Sequence, residues 1–192
     1  MKVLAISSSA RKDGNAAMLV EAVFSELQGD GIECELVQLG GCDIHGCRAC
    51  WGCGGRNNCR FTDDDFFDIF EKMKAADGII LASPVYAGNV SANMQAILER
   101  IGVVCDMNKE SQLLSRKVGA ALTVARRGGA LNALDTLANL FLIQDMYMVG
   151  STYWPIAYGQ MPGDVMSDDE GIATAHRLGE SMRHLLLCLR QG

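Results

Sequence analysis

Apolar positions along the chain recur in two alternating periods. Residues 2–7 form a short continuous apolar run, the mark of a strand buried on both faces. Over 15–28, Ala16, Leu19, Val20, Val23, Phe24 and Leu27 fall at helical spacing. A second strand is predicted over 32–39, entered through the turn Gly29-Asp30-Gly31. The next helix, over 62–76, opens on Thr62-Asp63-Asp64-Asp65, with Thr62 as the expected N-cap and Asp65 three residues on. The pattern then predicts a strand without a polar side chain at 78–82, a helix at 90–101, a strand at 117–124, a helix at 130–143, a strand at 146–149 and a closing helix at 169–190. Strict alternation of this kind predicts an α/β fold of three layers, α/β/α, around a five-stranded parallel sheet. The favoured strand order is 2-1-3-4-5, with the ligand beyond the carboxyl ends of strands 1 and 3. No repeat or linker divides the chain, so 1–192 is expected to be one domain.

One segment breaks the rhythm. Residues 40–61 are irregular and rich in Gly, Cys and Asn, and so long a connection inside a compact domain is usually functional. Five of the eight cysteines fall between residues 42 and 59, and four of them, Cys47, Cys50, Cys53 and Cys59, are spaced C-x2-C-x2-C-x5-C. Uneven packing of cysteines points to a metal centre or redox work rather than a disulfide framework. Three readings of the run stand: a [4Fe–4S] cluster on the four thiolates, a zinc site, or thiols without metal. Compression of three cysteines into seven residues suits a cubane better than the two separated knuckles of zinc. Cys42 lies outside the spacing and is expected to be structural. Cys34, Cys105 and Cys188 are expected to be core thiols. Trp51 either shields the site or packs under the loop or at a subunit interface. His45 is open as a proton donor or ligand, with a loop residue of no role the simpler reading.

Composition narrows the partners. A net charge of −6 disfavours nucleic acid and anionic membrane. No apolar run approaches the roughly 20 residues of a membrane span. The N-terminus runs directly from its apolar stretch into Ser7, Ser8 and Ser9 without a signal-peptide core, so a cytoplasmic location is expected.

Three polar loops follow strands and therefore share one end of the sheet. The first, Ser7-Ser8-Ser9-Ala10-Arg11-Lys12-Asp13-Gly14-Asn15-Ala16, joins hydroxyls, an arginine and a helix N-terminus, which suits a phosphate monoester. It matches neither G-x-G-x-x-G nor a Walker pattern, which favours a mononucleotide; an ordinary polar turn is the alternative. The second, Ser83-Pro84-Val85-Tyr86-Ala87-Gly88-Asn89-Val90-Ser91, offers backbone amides and an aromatic ring to a flat ring system, while Ser83-Pro84 also suits a strand end and Ser91 a helix cap. The third, Ala125-Arg126-Arg127-Gly128-Gly129, brings positive charge and close backbone approach, or else a solvated charged pair.

In that order these three loops resemble the NADPH-dependent FMN reductase superfamily of flavodoxin-like proteins, and the cysteine run resembles its iron–sulfur flavoprotein branch. The similarity covers nearly the whole chain, including 151–171. It implies FMN held by the three loops, a cubane cluster on Cys47, Cys50, Cys53 and Cys59, and assembly into a homodimer or homotetramer. Carried over by position, it implies phosphate contacts from Ser9, Arg11 and Asn15, with Ser7 and Ala16 also among the FMN-binding residues of that loop. It implies a flavin-flanking loop of Pro84, Val85, Tyr86, Ala87, Gly88 and Asn89, and a third loop of Ala125, Arg126, Gly128 and Gly129. Two positions depart from the pattern: Ser8 replaces a usual glycine, and Ala16 replaces a usual phosphate-binding threonine or serine. The implied function is electron transfer between a two-electron flavin and a one-electron carrier such as ferredoxin, with NAD(P)H as a possible donor. A cluster-free NAD(P)H-dependent FMN or quinone reductase, and a non-catalytic flavin or thiol redox sensor, are the alternatives. The cofactors carry this chemistry, so no side chain is nominated as a catalytic acid, base or nucleophile.

Overall fold

The computed structural model describes residues 1–190. Four strands pair in parallel in the order β2-β1-β3-β4: β1 (Lys2–Ser7), β2 (Glu33–Gln38), β3 (Gly78–Pro84) and β4 (Val118–Ala125). The fifth position is filled in two pieces. β5 (Tyr147–Met148) pairs with the start of β4, and β6 (Ile156–Tyr158) pairs with its end, through Thr123↔Ile156 and Ala125↔Tyr158. The pattern over 146–149 predicts only the first piece. The chain leaves the ladder after Val149, whose N–H donates to Gly119, and rejoins it where Thr123 N–H donates to the Pro155 carbonyl at 3.0 Å. Proline has no N–H to give the ladder, so it marks the edge of the re-entry.

Alternation along the strands sorts the core into two layers. Val3, Ala5, Ile80 and Leu122 pack beneath α1 (Asn15–Leu27) and α5 (Asp169–Arg190). Leu4, Ile6, Ile79 and Leu81 face α2 (Phe66–Ala75), α3 (Ala92–Asp106) and α4 (Ala130–Ile143). Each buried aliphatic side chain contributes about 1.5–3 kcal/mol. Small residues set how close the layers come. A Cβ on Gly119 would lie 2.7 Å from the Phe141 ring, so the bare backbone is what lets α4 sit down on β4.

Some boundaries differ from those predicted. α2 starts at Phe66, not Thr62: Asp64 and Asp65 are turned to the His45 and Asp43 N–H groups of the insert, and only Asp64 also reaches the helix, accepting from Phe66 N–H. α3 is capped by Ser91, whose Oγ accepts from Met94 N–H at 3.4 Å, and it continues past 101 because Val104 and Cys105 extend its buried stripe. Of the three scattered cysteines only Cys105 is buried; burial pushes its thiol up to about 12, which keeps it protonated and inert. Cys34 is half-buried and Cys188 is exposed. On α5 the buried stripe runs through Leu178, Met182 and Leu186, and position 188 falls off that face. Among the described residues no helix is long and apolar enough to cross a membrane.

Gly119→Val should force the Phe141 ring out of place and cost about 1–3 kcal/mol. Urea denaturation checks this; an unchanged midpoint would show that α4 does not rest on that contact.

Candidate functional site

At the carboxyl ends of β1, β3 and β4 the exit loops enclose one cavity. Ser9, Arg11, Asn15, Ala16, Pro84, Val85, Tyr86 and Arg126 line it, joined by Gly14, Val124, Gly159 and Gln160. The first loop is shaped from within: Ser9 Oγ accepts from Arg11 N–H at 3.1 Å, and Gly14 N–H donates to the Arg11 carbonyl. Gly14 is also the N-cap of α1 and supplies no side-chain cap, while the first turn carries no acidic residue. The positive end of the helix is therefore left for an outside anion.

The second loop turns tightly. Tyr86 and Asn89 exchange backbone hydrogen bonds of 2.8 and 3.1 Å, and both residues between them, Ala87 (φ 49°) and Gly88 (φ 81°), are left-handed. This is the mirror-image turn that a two-residue reversal requires. Asn89 Oδ1 accepts from Val90 N–H and from Thr136 Oγ1, and Asn132 donates to the Gly88 carbonyl, so α4 fixes the turn from behind. The third loop packs against it: Gly129 has φ 85°, and a Cβ there would meet Gly88 Cα at 2.8 Å. Ala87, Gly88, Asn89, Gly128 and Gly129 thus lie outside the lining, in the turn and the adjoining loop. Ser7 and Ala125 are buried strand-end residues, also outside the lining, and Ser7 Oγ has no hydrogen-bond partner. Ser8 donates to Ser83 Oγ at 3.0 Å, which links β1 to β3 by buried hydroxyls where a glycine would leave none.

Gly159 and Gln160 carry no obvious motif and escape sequence reading. β6 delivers them, and three residues are too short a run to announce a strand. Arg11 Nη1 donates to the Gln160 carbonyl at 2.9 Å. Asn15 donates to the Met161 carbonyl at 2.9 Å and accepts from Gly163 N–H at 2.8 Å. Asn15 is thereby a clamp for the 159–163 loop, beyond the phosphate role its position implies.

A second cavity lies apart from the first. Cys47, Cys50, Cys53 and Cys59 all line it, with His45, Trp51, Asp64, Arg100, Val103 and Val104 among the remaining walls. Cys53 is buried, Cys47 and Cys59 are half-buried and Cys50 is exposed. Left-handed backbone at Ala49 (φ 46°) and Trp51 (φ 54°) brackets Cys50, and such conformations in residues with a Cβ cost about 1–3 kcal/mol each. The strain is met by a polar frame. Asn58 bonds Phe67 O, Glu71 and Cys59 N–H. Asn108 donates to Cys53 O at 3.0 Å and accepts from Asn57 N–H. Burial pushes the Cys53 thiol up, its own backbone N–H opposes that, and the neighbouring Cys59, Cys47 and Cys50 add to the rise. Among the described residues no three Cys, His, Asp or Glu side chains converge on one point as ligands of a single ion. Cys42 stands outside this cavity and donates to Gln38 O. His45 is exposed, 3.7 Å from Asp43, and Trp51 is exposed at the rim.

The acidic run expected to cap α2 instead holds this insert. Asp63 pairs with Arg48 at 3.5 Å, and Asp65 accepts from Asp43 N–H at 2.8 Å. Asp64, whose side chain is 1% exposed, accepts from His45 N–H at 2.9 Å and pairs with Arg100, itself 4% exposed. Burial alone would push the Asp64 carboxyl up; Arg100 and the His45 and Phe66 N–H groups outweigh it and hold it below the usual carboxylate range. The sequence contains no signal for this pair, since its partners are 36 residues apart.

Comparison with known proteins gives the family and the fold. The family model described as NADPH-dependent FMN reductase matches residues 1–160. The chain is 35% identical over 198 residues to an iron–sulfur flavoprotein of Methanocaldococcus jannaschii, covering 100% of both. It is 36% identical over 152 residues to an iron–sulfur flavoprotein of Methanosarcina thermophila, covering 78% of each. Among solved structures, RosB with a bound 8-demethyl-8-formylriboflavin-5'-phosphate intermediate superposes with a TM-score of 0.76 at 20% identity, over 100% of this chain and 81% of that one.

Asp64→Ala should cost about 3–5 kcal/mol, because Arg100 stays buried without its carboxylate. The depressed Asp64 value also sets a pH window. The pair's contribution is complete above the unfolded carboxylate value of about 3.9 and is lost as pH falls through the lower folded value. Urea midpoints measured from about pH 6 down to about pH 3 should fall more steeply in the native protein than in an Asp64→Leu/Arg100→Met double variant; parallel curves would contradict this.

Proposed function

Because the chain belongs to the NADPH-dependent FMN reductase family and is a flavin-dependent oxidoreductase, we propose that it couples FMN in the strand-end cavity to a [4Fe–4S] cluster in the cysteine-lined one. The observation that carries this reading is that α3 connects the two cavities: the loop leading into it lines the first through Pro84, Val85 and Tyr86, and its own Arg100, Val103 and Val104 line the second. α3 leaves the flavin-side loop at Ser91 and reaches the cysteine cavity at Arg100, about 14 Å of helix later.

The residues present fit both groups. Ser9, Arg11 and the uncapped start of α1 would take the phosphate, and the Ser7 hydroxyl without a partner lies at the same strand end. Pro84, Val85 and Tyr86 would flank the flat ring. Arg126 adds a positive charge that favours the anionic reduced form. All four thiols line one cavity, and with three of them compressed into seven residues they suit a cubane in which each thiolate would bind its own iron. Bound in these places, FMN supplies two-electron chemistry and the cluster supplies single-electron exchange.

The protein's part is position and electrostatics. Gly129 and Asn132 hold the flavin-side turn, and Asn58 and Asn108 hold the cysteine backbone. The donor or acceptor is NAD(P)H or a ferredoxin-like one-electron carrier, in a reducing cytoplasm where all eight cysteines stay free as thiols or ligands. A homodimer or homotetramer would bring the rim at Trp51 of one subunit toward the flavin of another.

Anaerobically reconstituted protein should contain FMN and about four irons with matching sulfide per chain. Cys53→Ser should lose the iron and keep FMN. Flavin absorbance without iron in the native protein would leave the cluster-free reductase as the reading. Ala16→Ser, which restores a hydroxyl at the phosphate loop, should tighten FMN binding about tenfold, a hydrogen bond to a charged group. Fluorescence titration of apoprotein with FMN measures it, and equal affinity would place the phosphate away from residue 16.

A further inference from the structure

Arg100 does more at the cysteine cavity than pair with Asp64. Arg100 is part of the cavity wall, and its side chain is almost wholly shielded from solvent. Nη1 is taken by Asp64 and by the His45 carbonyl at 3.3 Å, and the guanidinium carbon sits 4.0 Å over the Phe66 ring. Nη2 is buried with no hydrogen-bond partner. A buried guanidinium nitrogen left without an acceptor is costly, and proteins rarely leave one so. Around it the wall offers sulfur: Cys47, Cys50, Cys53 and Cys59.

The other charges on this wall are placed differently. Arg48 is exposed, paired with Asp63 and stacked on Phe61 at 4.3 Å, and Arg60 is exposed over the same ring at 5.6 Å. His45 is also exposed. Arg100 is therefore the cation of this wall that solvent does not screen. Its carboxylate partner is engaged on its other sides by the His45 and Phe66 N–H groups, which draw down its negative charge.

Resting on the proposed cluster, we propose that Arg100 is the residue that sets its potential: the free Nη2 donates to a sulfur of the cluster and the guanidinium charge favours its reduced state. Four thiolates around a cubane make the site negative, and reduction adds one electron while no bond forms or breaks. A buried positive charge and a hydrogen bond to sulfur both stabilise the added negative charge, and hydrogen bonding to sulfur is one of the levers that set cluster potentials. The electron comes from the flavin-side reductant and leaves to the one-electron carrier. Arg100 is not among the residues lining the strand-end cavity, so it acts on the driving force and not on hydride chemistry.

The test is a redox titration of anaerobically reconstituted protein, following the reduced cluster by electron paramagnetic resonance and the flavin by absorbance in the same cell. Native protein is compared with Arg100→Lys and with the Arg100→Met/Asp64→Asn double variant, which removes both buried charges together. At a fixed potential the double variant should hold a reduced-to-oxidised cluster ratio about tenfold lower, a shift of about 59 mV for one electron. Arg100→Lys should fall between, because charge remains and the second donor is lost. The flavin potential should not move, which separates this effect from general disturbance of the fold. Variants with native iron content and an unchanged cluster potential overturn the proposal, whereas native protein without iron fails the cluster reading itself. If neither variant retains iron, pulsed resonance on an Arg48→Lys/Arg60→Lys background with heavy-nitrogen arginine decides the matter. A nitrogen coupling from Arg100 to the reduced cluster is expected there, and its absence overturns the proposal.

Discussion

Parallel pairing imposes the constraint on which everything else rests. Each strand must be left at its carboxyl end and re-entered from the opposite side, with helices as the crossovers, so the loops after β1, β3, β4 and β6 meet at one edge whatever their sequences. The chain has used that edge for a cavity of Ser, Arg and Gly residues whose shape depends on close backbone approach. Gly129 must lie against Gly88, and Gly159 against the Asn15 amide and the Val165 backbone. The same constraint explains why β6, three residues long, matters out of proportion to its length: it carries Gly159 and Gln160 to the phosphate-side loop.

The cysteine insert solves a different problem. It has no regular ladder of its own, so its backbone polar groups need partners from elsewhere. α3 supplies a rail along which the loop is laid, from Asn93 at Leu39 O, through Arg100 at His45 O, to Asn108 just beyond its end at Cys53 O. The acidic run before α2 supplies the second rail. Removing one member of such a frame leaves a buried charge or amide unpaired, which is why the loop's rigidity rests on few side chains. Rigid placement suits a redox centre, because a fixed surround keeps reorganisation on electron exchange small.

The two cavities share no wall residue; α3 lines the cysteine cavity and is entered from the loop that lines the other. A flavin at one and a cluster at the other would be joined by α3 within a subunit, or more directly across an interface. Trp51 at the rim of the cysteine cavity and Tyr153, Trp154 and Tyr158 near the broken fifth strand are exposed aromatic side chains.

Much of this was legible in the sequence. Two alternating periods determined the layers, because hydrophobic burial acts on side-chain periodicity and periodicity is local; they only favoured the order 2-1-3-4-5, which the long-range strand pairing decided. The four cysteines and the three loops were legible for the same reason: each is a short run of residues whose chemistry is carried by type and spacing. The capping of α2 was misread at Thr62 because carboxylates before a helix have two uses, and only the fold brings Asp43, His45 and Arg48 within their reach. Cys188 was misread because apolar neighbours on α5 do not put it on the buried stripe, which runs through Leu178, Met182 and Leu186 and leaves position 188 on another face. Arg100, Asn58, Asn108 and Gln160 carry no motif at all. Their roles arise from buried polar groups seeking partners across tens of residues, and that pairing exists only once the chain has closed on itself.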